Sequence, residues 1–202
     1  SPDNQKIAYT KEKDLYIFNL ATGKEIRVTF DATDKVYNGW SSWVYMEEIL
    51  GRPSNYAAFW WSPDGNKLAW FRFDDQPVPL FTLNRLDEAD GIHGKLEVTP
   101  YPKPGDPNPK VRIKVYNLAD HKTITVKTNP EEDIYYGWPF WTPDSRKIAI
   151  QALNRDQNDM RFLLADAASG DYTEIYRETS PTWVDFFEDV YVLKNGTGFI
   201  VR

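Results

Sequence analysis

Two adjacent acidic residues, Glu47 and Glu48, are the side chains of this 202-residue sequence best suited to bind a charged group. Two carboxylates together offer about eight lone-pair positions, and a primary ammonium offers three N–H donors. The pair therefore suits the free α-amino group of a peptide, whose pKa is near 8. The alternative is that both acids lie on the solvated face of a helix, and their spacing by itself favours that alternative.

The segment around the two acids differs from the rest of the chain. Residues 43–50 lack the alternation of a strand, and Arg52-Pro53 ends the run, so the sequence predicts one or two helical turns with Ser41 and Ser42 as candidate N-caps. At a helix tip, two long acidic side chains can turn toward one cation, although neighbouring positions diverge by about 100°. A helix inside an otherwise β pattern is a local departure of the kind that marks functional sites.

Other catalytic side chains are scarce. The sequence has no cysteine, which excludes disulfides and thiol catalysis, and its two histidines, His93 and His121, lie in polar segments where we expect them to be solvated. Residues 39–43 read GWSSW, so the Gly-x-Ser-x-Gly pattern of a nucleophile elbow fails at Trp43 and Ser41 is not a predicted nucleophile. We therefore predict no catalytic residue, no metal site and no organic cofactor in this chain.

A turn followed by an alternating strand recurs along the chain, and these units must position the acidic pair. Pro presets the first central turn position, Asp with Gly or Asn closes the turn, and apolar residues then alternate. The copies are SPDNQKIAY at 1–9, SPDGNKLAW at 62–70, TPDSRKIAI at 142–150 and the weaker LKNGTGFIV at 193–201. Further strands are predicted at 14–19, 111–117 and 161–165.

Repeated antiparallel units of this kind predict an all-β fold, a partial β-propeller with several four-stranded blades and a short helical insertion that carries the acidic pair. The copies lie further apart than the ~40–50 residues of an ideal blade, so we expect insertions near 38–58 and an extended arm at about 76–110. Too few units are present to close a ring, and the chain starts without Met, so residues 1–202 are interpreted as a fragment of one propeller domain. A β-sandwich is the alternative fold.

Charge and hydropathy limit the partners. The formal net charge of −6 argues against nucleic acid, because binding to phosphates needs a clustered basic surface. No apolar run reaches the ~18 residues that a membrane-spanning helix requires. Aromatic residues make up 15% of the chain, which favours strands.

Several ordered motifs resemble one peptidase family. The run WVYMEEI at 43–49 resembles the Trp-Val-Tyr-Glu-Glu-Glu signature of dipeptidyl peptidase IV-like enzymes, within the prolyl oligopeptidase superfamily of serine peptidases. The flanking matches are YNG at 37–39, AFWWSPDG at 58–65, PVPL at 77–80 and YPKPG at 101–105. The resemblance covers nearly the whole chain, more thinly after residue 125.

The resemblance implies a specific role for the acidic pair. In this family an N-terminal propeller is joined to a catalytic α/β-hydrolase domain, which this chain does not contain. Glu47 and Glu48 match the last two acids of the signature, which hold the N-terminal amine of a peptide so that dipeptides with Pro or Ala in second place are released. Met46 replaces the first acid of the signature. The parent protein is thus expected to be a serine-type dipeptidyl peptidase, with this fragment inactive alone.

Three weaker expectations follow from the same resemblance. Phe187, in the segment 182–188, is a candidate for an aromatic wall beside the substrate, with core packing as the alternative. The arm at 76–110 is a candidate dimerisation element of a homodimer. The missing cysteines fit a bacterial periplasmic or cell-surface enzyme, which needs no disulfides.

Two other functions remain open. The chain could be a non-catalytic propeller scaffold of the TolB-like kind that binds a protein partner, because such proteins also repeat Ser-Pro-Asp-Gly turns. It could also come from a tripeptidyl or inactive member of the same family.

Overall fold

A computed structural model of the chain describes residues 1–86, 94–193 and 198–202. The strands form a series of antiparallel sheets along the chain. Sheet 1 has the order β1-β2-β3 and consists of β1 (Lys6–Lys11), β2 (Asp14–Asn19) and β3 (Glu25–Arg27).

Sheets 2 and 3 share one plan, in which two short strands pair with the same long strand. Sheet 2 has the order β10-β9-β6-β4, with β5 also paired to β6; it consists of β4 (Val36–Asn38), β5 (Phe59–Trp61), β6 (Lys67–Asp74), β9 (Lys110–Asn117) and β10 (Lys122–Thr125). Sheet 3 has the order β11-β13-β14-β15, with β12 also paired to β13; it consists of β11 (Ile134–Tyr136), β12 (Phe140–Trp141), β13 (Lys147–Asn154), β14 (Asp159–Asp166) and β15 (Tyr172–Thr179).

Two hairpins and two helical turns complete the described structure. The arm hairpin joins β7 (Leu80–Arg85) to β8 (Lys95–Pro100), and the last hairpin joins β16 (Val190–Val192) to β17 (Phe199–Val201). A π-helical turn spans Tyr45–Ile49, and a 3-10 turn spans Arg52–Ser54. The arm tip with His93, and the turn of the weakest repeat, lie outside the described residues.

The three strong repeats fold into the same turn. In the second copy the Ser62 hydroxyl donates to Asp64 Oδ1 at 2.5 Å and accepts from the Lys67 N–H at 2.9 Å. The same two bonds form in the other copies, between Ser1, Asp3 and Lys6 and between Thr142, Asp144 and Lys147. Each turn thus satisfies its own polar groups and directs the chain into the strand that follows.

Sheet 2 is covered on both faces, which distinguishes this fold from a two-sheet sandwich. Along β6, Leu68 and Trp70 pack with the core of sheet 1, whereas Phe71 and Phe73 pack with Ile148 and other residues of sheet 3. Alternate residues of a strand point to opposite faces, so a strand buried on both sides is apolar throughout. Successive sheets packed face to face confirm the prediction of a partial propeller, and none of the described sheets closes on itself.

Polar contacts also tie sheet 2 to sheet 3. The buried Ser145, in the turn before β13, accepts at Oγ from the Asp64 N–H at 3.0 Å, and its carbonyl accepts from Lys67 Nζ at 3.0 Å. The Trp141 indole N–H donates to the Trp60 carbonyl at 3.3 Å. The repeated turns therefore contact one another as well as starting their own strands.

Candidate functional site

The segment 39–58, here called the insertion, interrupts an edge strand of sheet 2. Strands β4 and β5 lie on either side of it and both pair with β6, where Asn38 faces Arg72 and Phe59 faces Trp70. Phe71 stands opposite the break, yet its carbonyl accepts from the Gly39 N–H at 3.0 Å and its N–H donates to the Ala58 carbonyl at 3.0 Å. The chain therefore leaves and rejoins the sheet without losing a backbone hydrogen bond.

The base of the insertion needs a glycine and is closed by two rings. Gly39 has φ +69°, and a Cβ there would lie 3.1 Å from Leu15 Cδ1 and 3.2 Å from Phe59 Cδ1. A side chain at this position would be strained by the left-handed backbone conformation, and it would also crowd Leu15 and Phe59 in the core beside sheet 1. The Trp40 and Tyr56 rings stack across the base with centroids 4.6 Å apart.

The acidic pair lies on a π-helical turn. The Leu50 N–H donates to the Tyr45 carbonyl at 2.7 Å, which is the i to i+5 bond of a π-helix. Tyr45, Met46 and Ile49 are buried, whereas Glu47 is half-buried and Glu48 is exposed. The prediction of a short helical turn is confirmed, and its π form is of the kind found frequently at functional sites.

The predicted side-chain capping by Ser41 and Ser42 is wrong. The turn has no side-chain cap. The Ser41 hydroxyl donates to the Tyr56 carbonyl at 3.2 Å, across the base of the insertion. Ser42 contributes its carbonyl to the Met46 N–H at 3.0 Å, while its hydroxyl is buried and has no hydrogen-bond partner in the described structure.

Tyr45 holds the π-helical turn against sheet 3. Its side chain is 1% exposed, and its hydroxyl accepts from the Tyr136 N–H of β11 at 2.9 Å. Its ring meets the Phe73 ring edge-on with centroids 4.8 Å apart. Burial raises the pKa of Tyr45, so the hydroxyl stays protonated at physiological pH. Glu47 and Glu48 follow Tyr45 by two and three residues, so the contacts of Tyr45 with sheets 2 and 3 also position these acids.

The two oxygens of Glu47 have different surroundings. Oε1 accepts from Arg52 Nε at 3.0 Å and Nη2 at 2.6 Å, which anchors the carboxylate to the 3-10 turn. Oε2 is buried and has no hydrogen-bond partner in the described residues. Glu48 is exposed and, across the described ranges, makes no hydrogen bond or ion pair. Sequence reasoning missed the role of Arg52, because Arg52 lies beyond the π-helical turn and the left-handed backbone of Gly51 redirects the chain between the two residues.

Phe187 lies at sheet 3. Its N–H donates to the Gln151 side-chain oxygen at 2.7 Å and its carbonyl accepts from the Gln151 amide at 3.0 Å. Its ring faces those of Phe162 and Tyr176, with centroids 6.5 and 6.0 Å away. Phe187, Phe162 and Tyr176 also line a cavity of about 690 Å³ beside the last hairpin, and neither Glu47 nor Glu48 lines that cavity. A place for Phe187 beside a substrate stays a prediction.

The histidine within the described residues is a turn residue. His121 has φ +57°, is exposed, and shares a hydrogen bond of 2.6 Å with the Tyr116 hydroxyl. This matches the expectation of a solvated histidine in a polar turn.

Comparison with known proteins identifies the family. The family described as the dipeptidyl peptidase IV (DPP IV) N-terminal region matches residues 1–202. The chain belongs to this family. The predicted resemblance to dipeptidyl peptidase IV-like enzymes is therefore confirmed.

The relatives of this DPP IV N-terminal region are longer proteins named as dipeptidyl peptidases. Dipeptidyl peptidase 4 of Trichophyton rubrum is 34% identical over 207 residues, which cover 98% of this chain and 26% of that protein. A probable dipeptidyl peptidase 4 of Aspergillus flavus is 31% identical over 193 residues, which cover 92% of this chain and 24% of that protein. The chain thus spans about a quarter of the length of these relatives. Both are fungal, and the expected bacterial origin stays a prediction.

Solved structures of such proteins share the fold. The crystal structure of Porphyromonas gingivalis dipeptidyl peptidase 4 matches with a TM-score of 0.81 and 28% identity, over 92% of this chain and 26% of that one. A putative dipeptidyl aminopeptidase IV from Bacteroides ovatus matches with a TM-score of 0.66 and 20% identity, over 90% of this chain and 29% of that one.

In the part of the chain that the structure describes, no helix has the length and apolar character to cross a membrane.

Proposed function

We propose that this chain is the substrate-anchoring portion of the N-terminal propeller of a serine-type dipeptidyl peptidase, and that Glu47 and Glu48 bind the free N-terminal amine of a peptide. The observation that carries the proposal is the buried Oε2 of Glu47, which has no partner among the described residues and belongs to the residue before Glu48, likewise unpaired in that part of the chain. A buried acceptor without a donor costs about 1–3 kcal/mol, and a ligand N–H would remove that cost.

The geometry around Glu47 suits an ammonium group. Arg52 holds Oε1, and Oε2 is buried without a donor among the described residues. An ammonium carries three N–H donors, so it can bond to Oε2 of Glu47 and to Glu48 together. Charge-assisted hydrogen bonds of this type are about twice as strong as neutral ones.

An anchor for the amine would set the length of the released product. Holding the N-terminus at one point places a particular peptide bond at the catalytic serine of the hydrolase domain, and such positioning contributes to turnover as well as to binding. We expect release of dipeptides with Pro or Ala in second place from a periplasmic or cell-surface enzyme, and no peptidase activity from this chain alone.

Replacing either acid in the full-length protein tests the proposal. Each of Glu47→Gln and Glu48→Gln removes a charge-assisted bond of about 1.5–3 kcal/mol, so kcat/KM for dipeptide release should fall about tenfold to a hundredfold. Glu174→Gln, which changes an exposed acid on β15, is the matched control and should leave kcat/KM unchanged. Near-normal kinetics in both anchor variants would contradict the proposal.

Changing the amine provides a second test. An N-acetylated substrate should not be cleaved, and kcat/KM should decline as pH rises through the pKa of the substrate amine, near 8. Comparison of dipeptidyl with tripeptidyl substrates separates this function from that of a tripeptidyl or inactive relative. A TolB-like scaffold would leave the full-length protein without peptidase activity on any of these substrates.

We further propose that the arm hairpin takes part in a homodimer. Leu80, Leu96 and Val98 of this hairpin are 57%, 67% and 56% exposed. Apolar side chains concentrated on one protruding element are typical of a protein–protein contact.

A further inference from the structure

A cavity of about 600 Å³ lies between the insertion and the base of the arm hairpin. Its walls include the rings of Tyr37, Trp40, Trp43 and Tyr56, and the arm contributes Leu80 and other residues. Neither Glu47 nor Glu48 lines it. The cavity is therefore separate from the amine anchor proposed at Glu47 and Glu48.

Two buried polar atoms without partners in the described structure belong to residues of the cavity wall. Asp75, which follows β6, is 1% exposed, and its Oδ1 has no hydrogen-bond partner in the described structure. Ser42, which precedes the π-helical turn, is 2% exposed, and its hydroxyl is likewise unpartnered there. Folded proteins seldom leave such groups unpaired, because each costs about 1–3 kcal/mol. Two of them at one cavity point to a ligand that brings hydrogen-bond donors.

The charges around Asp75 favour a cation over a neutral ligand. Burial and the neighbouring Asp74 raise the pKa of Asp75 to about 7, while the Tyr37 hydroxyl and the charges of Lys13 and Lys35 oppose that rise. Burial therefore outweighs the favourable charges of Lys13 and Lys35 at this carboxyl group.

Neither lysine of the cavity lining donates a side-chain hydrogen bond to Asp75 in the described residues, although both charges act on it. Lys13 Nζ donates to the Asp34 carbonyl at 3.2 Å and lies 4.4 Å from the centre of the Tyr37 ring. Glu97 and Asp34 add negative charge from β8 and from the segment before β4, and Glu97 is paired with Arg85 at 2.8 Å. When Asp75 is ionised, the lining holds Lys13 and Lys35 against Asp34, Asp75 and Glu97, and Arg85 from outside the lining neutralises Glu97.

We propose that this cavity binds the guanidinium or alkylammonium head of a small organic cation or of a basic side chain. Asp75 is the counter-ion, and the Ser42 hydroxyl accepts a second N–H of the ligand. The surrounding aromatic rings favour a cation through their negative π faces. Because Ser42 belongs to the insertion and Asp75 leads into β7, the bound cation contacts both the acid-bearing insertion and the arm.

Calorimetry on the full-length protein tests the proposal with two matched probes. Nα-acetyl-argininamide carries the guanidinium, and Nα-acetyl-citrullinamide is its neutral isostere. Neither has a free α-amine, so neither engages the proposed anchor at Glu47 and Glu48. We expect the arginine probe to bind at least tenfold more tightly than the citrulline probe. Methylguanidinium, a third probe, tests the head group alone. If it binds more tightly than the arginine probe, the site is assigned to a free organic cation. If it binds more weakly, the site is assigned to a basic side chain.

Variants of the acids separate a specific site from general attraction. Asp75→Asn should weaken binding of the arginine probe tenfold or more, whereas Asp74→Asn, which removes a neighbouring charge outside the cavity lining, should not. Ser42→Ala provides a second variant with a smaller loss of about threefold, in case Asp75→Asn alters the fold. Thermal unfolding of each variant monitors that possibility.

The pH dependence has a defined sign. A cation binds the ionised carboxylate, and a group with a pKa of about 7 is about 10% ionised at pH 6 and about 90% ionised at pH 8. Affinity for the arginine probe should therefore rise close to tenfold between these pH values, with proton release on binding at the lower pH. Equal binding of the two isosteres, an unchanged affinity in Asp75→Asn, or no binding of any probe would overturn the proposal.

Discussion

At the scale of single residues, Tyr45 links the packing of the sheets to the position of the acidic pair. Its ring packs in the core shared by sheets 2 and 3, and its hydroxyl satisfies the Tyr136 N–H. Glu47 and Glu48 follow two and three residues later on the same turn. A small shift of Tyr45 would therefore move both carboxylates.

Removal of the Tyr45 hydroxyl tests this coupling. Tyr45→Phe leaves the buried Tyr136 N–H unpaired, so we expect the free energy of unfolding to fall by about 1–3 kcal/mol. We also expect KM for a free-amine peptide to rise severalfold while kcat changes less, at a temperature well below unfolding. Tyr116→Phe, which removes a hydroxyl that bonds to a surface histidine, is the control and should leave KM unchanged. An unaltered KM in Tyr45→Phe would show that the hydroxyl serves stability alone.

At the scale of elements, the repeated turns stabilise the chain through a hydroxyl and a carboxylate. Hydrogen bonds from the hydroxyl and from nearby N–H groups lower the pKa of Asp3 and of Asp144. In the second turn, burial of Asp64 opposes the same effect, and the net pKa is still lowered. A carboxylate with a lowered pKa stabilises the fold above its unfolded pKa of about 4, and that contribution is lost as pH falls through the folded value. The turns should therefore weaken in acid.

Replacing a turn hydroxyl measures this contribution. Ser62→Ala removes the donor to Asp64 and the acceptor for the Lys67 N–H in a buried turn, so the free energy of unfolding in urea at pH 7 should fall by about 1–3 kcal/mol. Because the pKa of Asp64 would move back toward its usual value, the variant should also lose less stability than the parent protein between pH 5 and pH 3. Thr142→Ser keeps the hydroxyl of the equivalent turn and should behave like the parent. If Thr142→Ser lowered the free energy of unfolding as much as Ser62→Ala does, the effect would come from packing rather than from the hydrogen bonds.

At the scale of the whole molecule, three sheets packed face to face leave the arm hairpin outside the shared core. Strands β7 and β8 pair with each other and with no other described strand. The apolar side chains of the hairpin are thus not covered by the sheets. The insertion and the arm are close neighbours, because the cavity between them has walls from both.

The exposed face of the arm leads to a prediction about assembly. Leu96→Glu places a charge on this face, and we expect it to shift the proposed homodimer of the full-length protein toward monomer in sedimentation experiments. Leu20→Glu, at a residue 51% exposed beyond the end of β2, is the matched control and should leave the dimer intact. A dimer that persists in Leu96→Glu would contradict a role for this part of the arm.

The sequence by itself determined the repeated turns, the strands that follow them, the family and the presence of a helical turn at the acidic pair. These features depend on local chemistry: Ser62 and Asp64 lie two residues apart, and the apolar run at 68–71 of β6 is visible in the sequence. The interpretation of Ser41 and Ser42 as caps failed, because Ser41 bonds to Tyr56 across the base of the insertion. A capping pattern covers only the few residues at the start of a helix, and Tyr56 lies 15 positions after Ser41.

Only the tertiary structure decided the form of the turn and the surroundings of each acid. The change of chain direction at Gly51 brings Arg52 to Glu47, and the contact of Tyr45 with Tyr136 joins residues 91 positions apart. The shared cavity of Ser42 and Asp75 likewise depends on how the insertion packs beside the arm. Burial and the absence of a partner are properties of a three-dimensional neighbourhood, and residues distant in the chain create it.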